Sequence, residues 1–113
     1  MDNEEVLDKE LSFNQDYIDL SGLERSCSGN ESFINSMIEV FKKTIEQELN
    51  LIELYIENDD LEGVSKIAHK IKPSIDSVSS NIVRDLVRKV ELTPTNKDAI
   101  RLIELVRNIA DKL

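Results

Sequence analysis

A single cysteine, Cys27, stands in 113 residues, so no disulfide can form within the chain. There is also only one histidine, His69, which leaves no cysteine–histidine set for a structural zinc ion. A reducing compartment, the cytoplasm, is the expected setting. Tryptophan is absent, and Phe13, Phe33, Phe41, Tyr17 and Tyr55 are the only aromatic residues, so the core must be mostly aliphatic. Positive charge is scarce as well. Fourteen Lys and Arg face 23 Asp and Glu, and the resulting formal charge of −9 argues against nucleic acid or an anionic membrane as the partner. No apolar run approaches the ~18 residues of a membrane span, and no signal-peptide pattern opens the chain.

What is present is helical periodicity, in a length that suits one domain. Residues 1–16 are rich in acid and poor in core residues, and are expected to be a frayed or linker-like start, with Leu11, Phe13, Tyr17 and Ile18 lying over one end of the domain. Ser21 and Glu24 have capping-box spacing for a short helix that Ser28-Gly29 stops. Asn30 is placed to cap a long helix to about Glu57, in which Ile34, Ile38, Phe41, Ile45, Leu49, Ile52 and Ile56 form one stripe. A second apolar edge, Phe33, Met37, Val40, Leu51 and Tyr55, either covers the short first helix or stays available to a partner, and core contact is the favoured use.

Asn58-Asp59-Asp60 makes a turn, with Asp59 and Glu62 as a capping pair, and so short a connection requires an antiparallel hairpin. Leu61, Val64, Ala68, Ile71, Ile75 and Val78 then give a stripe in a helix from Leu61 to Val78. Ser79-Ser80-Asn81 starts a fourth helix carrying Ile82, Val83, Leu86, Val87 and Val90. Beyond the break at Pro94, Ala99, Leu102, Ile103, Val106, Ile109, Ala110 and Leu113 line a last helix. No segment has the two-residue period of a strand. The expected fold is all-α: an up-down antiparallel four-helix bundle over residues 17–113, with a short extra N-terminal helix.

At about 100° per residue, His69 lies roughly 130° from the centre of its helix's apolar stripe, on a face shared with Glu62, Ser65, Pro73 and Asp76. It should point to water. Lys72, one turn on, can reach an anion held on the imidazole, and Lys66 or Lys70 can add longer-range attraction. A neutral imidazole, with an ordinary pKa near ~6.5, keeps one nitrogen lone pair free to attack phosphorus. A bare His-x-x-Lys spacing nevertheless favours an ordinary surface histidine. Other chemistry lacks its residues: there is no nucleophile–base set, no glycine-rich phosphate loop, and no first-shell metal set, because Glu62 and Asp76 each stand seven residues from His69.

The whole-chain pattern adds to this. Ala68-His69-Lys70-Ile71-Lys72, the Leu20-Ser21-Gly22-Leu23 entry, Ser28-Gly29-Asn30-Glu31-Ser32-Phe33-Ile34 and the Asp59-Asp60-Leu61 turn resemble the histidine-containing phosphotransfer (HPt) domains of two-component phosphorelays, over residues 17–113. The resemblance implies a monomeric phosphocarrier without an enzyme's own ATP site. It implies His69 as phosphoacceptor and Lys72 as charge partner, with response-regulator receiver domains or a hybrid histidine kinase as partners. No cofactor is implied for this chain, since Mg²⁺ would sit on the receiver. The sequence departs from the family at Pro73, where glycine is usual. That proline removes the N–H that would bond the His69 carbonyl, so a kink or a switch in hydrogen bonding is expected near residues 69–73. Counting back from the turns places Thr44, Gln47, Glu48 and Leu51 on one flank of His69 and Arg88 and Lys89 on the other. The expected partner surface combines Ser65, Lys66, Pro73 and Asp76 with Thr44, Glu48 and Leu51. The alternative is a receiver-binding or structural helical module that carries no phosphoryl group.

Overall fold

The periodic stripes fold as five helices in the computed structural model, which describes residues 17–113. These are α1 (Ser21–Ser26), α2 (Glu31–Glu57), α3 (Leu61–Val78), α4 (Asn81–Leu92) and α5 (Asn96–Lys112). Expectations for residues 1–16, including Leu11 and Phe13, lie outside the described residues. No helix among the described residues is long and apolar enough to cross a membrane.

Helix boundaries follow from side-chain oxygens that accept otherwise orphaned N–H groups. Asn30 caps α2 by accepting from the Phe33 N–H at 3.1 Å. Two of the expected caps shift. Asp60, not Asp59, caps α3, accepting from the Gly63 N–H at 2.9 Å, while Asp59 takes the left-handed turn position at φ 56°. Ser21 does not close a capping box. Asp19 does the work instead, its Oδ1 accepting from the Ser21 N–H at 3.0 Å and the Ser21 hydroxyl at 2.7 Å. After Pro94, Thr95 caps α5 by accepting from the Asp98 N–H at 3.1 Å.

The α3 stripe is the centre of the packing. Val64, Ala68, Ile71, Ile75 and Val78 are buried, and α3 contacts each of the other four helices. The remaining long helices close around it, α4 against α5 and α5 against α2. Against α3 they bring Phe41, Ile45, Leu49 and Ile52 from α2, Val83, Val87 and Val90 from α4, and Leu102, Val106 and Ile109 from α5. Side-chain pairs show opposite running directions: Glu48 meets Lys70 and Tyr55 covers Gly63, while Asp76 meets Arg88 and Ser65 meets Glu91.

The favoured burial of the second α2 edge fails because what lies alongside it is short. Helix α1 has six residues and supplies only Leu23 and Cys27 to a small cluster with Ile34. It cannot cover the second edge of α2, so Phe33, Met37, Val40 and Leu51 are exposed, and only Tyr55 of that edge is partly buried. Ile82, at the start of α4, is 56% exposed. The segment before α1 is fastened separately. The Asp19 N–H donates to the Val78 carbonyl and the Ser80 N–H to the Tyr17 carbonyl, both at 2.9 Å, which pairs residues 17–19 antiparallel with the α3–α4 turn.

The helix α3 runs from Leu61 to Val78, as expected, with Pro73 inside it. The residue is exposed and lies opposite the buried stripe, so its missing N–H does not open the core.

This packing sets two outcomes for urea titrations. Ile71→Asp, which places a charge in the core, should cost more than ~4 kcal/mol, whereas Lys70→Ala should stay within ~1 kcal/mol. Gly63→Ala should destabilise despite a helix-propensity gain of ~1 kcal/mol, because its methyl would fall on the Tyr55 ring. A stabilised Gly63→Ala would contradict that close approach.

Candidate functional site

His69 is carried outward by α3, and its side chain is 71% exposed while its neighbour Ala68 is fully buried. The helical spacing alone produces this contrast. What the sequence did not disclose is the group beside it. Glu91, in the last turn of α4, places Oε2 2.6 Å from His69 Nδ1 and Oε1 2.7 Å from Lys72 Nζ. One carboxylate therefore bridges the histidine and the lysine. Its side chain is only 17% exposed, sheltered between the two helices.

Glu91 is itself held in place through its backbone. The Ser65 hydroxyl donates to the Glu91 carbonyl at 2.5 Å, across the α3–α4 contact. That carbonyl lies in the terminal turn of α4, where Pro94, three residues on, has no N–H to offer. Ser65, His69 and Lys72 occupy successive turns of α3, so all three reach the same residue of α4.

The electrostatics fix the state of the ring. The Lys72 ammonium, and after it the His69 ring, hold the Glu91 carboxyl below the ordinary glutamate value, against the opposing effect of burial. An ionised carboxylate only accepts hydrogen bonds, so the His69 nitrogen facing it must carry the hydrogen. The neutral ring is thereby set as the Nδ1–H tautomer, and Nε2 keeps its lone pair. What the arrangement can do chemically is present a fixed nucleophilic nitrogen, with an anion behind the ring and a cation alongside.

The other expected residues divide by flank. On the α4 side, Asp76 is not free for a partner: Arg88 binds both its oxygens, at 2.9 and 2.6 Å, and holds its carboxyl below the usual aspartate range. Ser65 is likewise occupied rather than presented. Lys89 does not border the histidine, because it turns towards Asp98 of α5 at 3.4 Å. On the α2 side the turn count holds, with Glu48 bonded to Lys70 at 2.8 Å. Thr44, Glu48, Lys70 and Ser74 line a cavity of about 240 Å³ there, and Leu51 is exposed but not among its walls. Lys66 and Pro73 are exposed on the outer face of α3.

A larger groove of about 320 Å³ adjoins that cavity through Thr44 and Ser74, and Phe33, Met37 and Val40 form its apolar wall. Its residues were visible in the sequence as an apolar edge. Their exposure was not, because periodicity separates faces of a helix without saying which neighbour is long enough to cover them. Among the described residues no cluster of His, Cys, Asp or Glu is arranged to hold a metal ion. No protein-family model matches the chain, and no curated protein or solved structure matches it either.

Two measurements check the bridge. The ¹⁵N spectrum of neutral His69 should show hydrogen on Nδ1, and Glu91→Gln should shift the tautomer balance. The carboxyl of Glu91 is lowered in the folded state, so its contribution to stability is complete above the unfolded glutamate value near ~4.3 and is lost as pH falls through the lower folded value. The stability gap between the wild type and Glu91→Gln should therefore be constant at neutral pH and shrink as the acid range is entered.

Proposed function

We propose that this chain is a histidine phosphotransfer module of the kind its sequence resembles, an up-down antiparallel four-helix bundle with a short extra helix. His69 accepts a phosphoryl group from a receiver-domain aspartate and passes it to another receiver. The observation that carries this reading is the exposed imidazole whose Nδ1 is engaged by Glu91, which reserves Nε2 for a reaction partner in solvent.

The Nε2 lone pair attacks the phosphorus of the aspartyl phosphate, a P–N bond forms, and the P–O bond to the aspartate breaks with the electron pair leaving on the carboxylate. Phosphorylation at Nε2 makes the ring cationic until the Nδ1 proton is shared with or lost past Glu91, so the carboxylate stabilises the charge that develops. The phosphoryl group brings about two negative charges, and Lys72, one turn away on the same helix and held by Glu91 beside the ring, is the cation placed to answer them. Return transfer reverses each step. The module itself supplies a positioned nucleophile, and the receiver supplies Mg²⁺ and the remaining charge stabilisation.

The partner surface follows from the two flanks. On the α4 side the polar groups are already paired among themselves, through Arg88 with Asp76 and Glu91 with Lys72. The α2 side instead offers Phe33, Met37 and Val40, at 52%, 42% and 55% exposure, with Thr44, Glu48 and Ser74 leading towards His69. A receiver that spans His69 and this groove buries apolar area and passes over a single ion pair, Glu48 with Lys70.

A docking module that carries no phosphate is the second reading, and the occupation of Lys72 by Glu91 favours it. The decisive experiment incubates the protein with a phosphorylated receiver and looks for an acid-labile, base-stable label. Labelling lost in His69→Gln supports the carrier, while no label, or a label that survives that change, removes it. Met37→Glu and Val40→Glu should each weaken receiver binding about tenfold, as expected for ~1.4 kcal/mol at an apolar contact, with an unchanged thermal melt.

A further inference from the structure

Beside His69 the charges of α3 and α4 alternate around a closed ring of four. Two of its edges are ion pairs across the helices: Lys72 Nζ lies 2.7 Å from Glu91 Oε1, and Arg88 binds both oxygens of Asp76, at 2.9 and 2.6 Å. The other two edges run along the helices. Asp76 stands four residues after Lys72 on α3, and Glu91 three after Arg88 on α4, and both spacings set side chains on neighbouring turns of one face. Each charge therefore has two neighbours of opposite sign. Proton binding follows the same outline. The Asp76 carboxyl is lowered first by its Arg88 hydrogen bond, with Arg84 and Lys72 adding to it, and Arg88 is raised first by Asp76, with Asp85 and Glu91 adding.

The carboxylates are the more sheltered members, Glu91 at 17% and Asp76 at 32% exposure, so either is costly to leave without a cation. That cost arises when His69 is loaded. On the phosphotransfer reading, on which this role rests, Lys72 turns to the new phosphoryl group and withdraws from Glu91, while Glu91 must still hold the Nδ1 hydrogen. Arg88 can answer without giving up Asp76. Its guanidinium carries five N–H donors, of which Asp76 engages two and the Arg84 carbonyl one, and this leaves two.

We infer that Arg88 is the reserve cation of the site: in the loaded state it bridges Asp76 and Glu91, so that Lys72 passes to the phosphoryl group while Glu91 keeps the imidazole in place. Asp76 sets how readily this happens. It holds Arg88 back from Glu91 and attracts Lys72 along α3, so it opposes loading, whereas Arg88 favours it. The two halves of one ion pair act in opposite directions, which a pair serving stability alone does not do. Arg88 and Asp76 are thus positioning residues, acting on the phosphoryl group only through Lys72 and Glu91.

The first test needs no phosphate. Lys72→Met removes the ammonium as loading would, and Arg88 should then take Glu91: neutral His69 keeps hydrogen on Nδ1 in its ¹⁵N spectrum, and the Arg88 guanidinium signals shift. Adding Arg88→Gln should move the tautomer balance as far as Glu91→Gln does, and Arg88→Lys in its place should restore part of it. A balance already lost in Lys72→Met alone, or unchanged when Arg88→Gln is added, overturns the reserve role. The second test compares equilibria with a phosphorylated receiver. Arg88→Gln should lower the ratio of phosphorylated His69 to phosphorylated receiver about threefold and Asp76→Asn should raise it about threefold, as suits a part-exposed ion pair, although urea titration shows both variants losing the same pair. Shifts in one direction for both variants, or none, overturn the reserve role and leave the carrier intact. A wild type that takes no label overturns the carrier reading instead, and the ¹⁵N outcome still decides whether Arg88 takes over Glu91.

Discussion

Everything in this fold leans on one apolar stripe, the line from Val64 through Ala68, Ile71 and Ile75 to Val78 on α3. Five side chains at three- and four-residue steps require cover on one face only, and four helices provide it. Burial of large aliphatic side chains at roughly 1.5–3 kcal/mol each is what offsets the entropy of ordering those helices. The opposite face of α3 is left partly to water, at Glu62, Lys66, His69, Lys70 and Pro73. A histidine placed there is exposed by the same packing that makes its helix rigid, so accessibility and fixed orientation have one cause.

Exposure alone would leave the imidazole free to choose its tautomer and rotamer. Glu91 removes that freedom, and it does so from another helix, so the site depends on the α3–α4 register as well as on α3. Three side chains at successive turns converge on one residue: Ser65 on its carbonyl, His69 and Lys72 on its carboxylate. A slide of α4 by one residue would move the carboxylate about 100° around its own axis and break all three bonds. The short Ser79-Ser80 turn, itself hydrogen-bonded to Tyr17, is what limits such sliding.

Periodicity made much of this legible before any coordinate. The stripes of α2, α3 and α5, the outward side of His69 and the neighbourhood of Glu48 all follow from counting residues at 100° and ~1.5 Å per step. Glu91 escaped because a count from a turn carries an error of two or three residues, and across helices that error selects a different side chain: Arg88 and Lys89 were the candidates, Glu91 the occupant. The capping shifts from Asp59 to Asp60 and from Ser21 to Asp19 have the same origin, since adjacent acids and hydroxyls compete for the same N–H and local φ decides between them. For the Phe33, Met37 and Val40 edge the choice between core contact and an open face could not be made from periodicity, for a different reason. Its burial depended on the length of α1, a property of another element, and no pattern within α2 encodes it.

The bridged lysine bears directly on the proposed phosphotransfer. Before transfer, Lys72 and the Nδ1–H share one carboxylate, and the three groups together carry no net charge when the ring is neutral. Adding a phosphoryl group at Nε2 introduces a second anion that competes for the same ammonium. At an effective dielectric near 20, one pair of unit charges about 4 Å apart is worth roughly 4 kcal/mol, and in bulk water about 1. For a site as open as His69 the value lies towards the lower end, so moving Lys72 from Glu91 to the phosphoryl group changes the energy little in either direction. That near balance suits a carrier, which must accept and release the same group. A lysine with no other partner would favour the loaded state, and a fully buried carboxylate would oppose it.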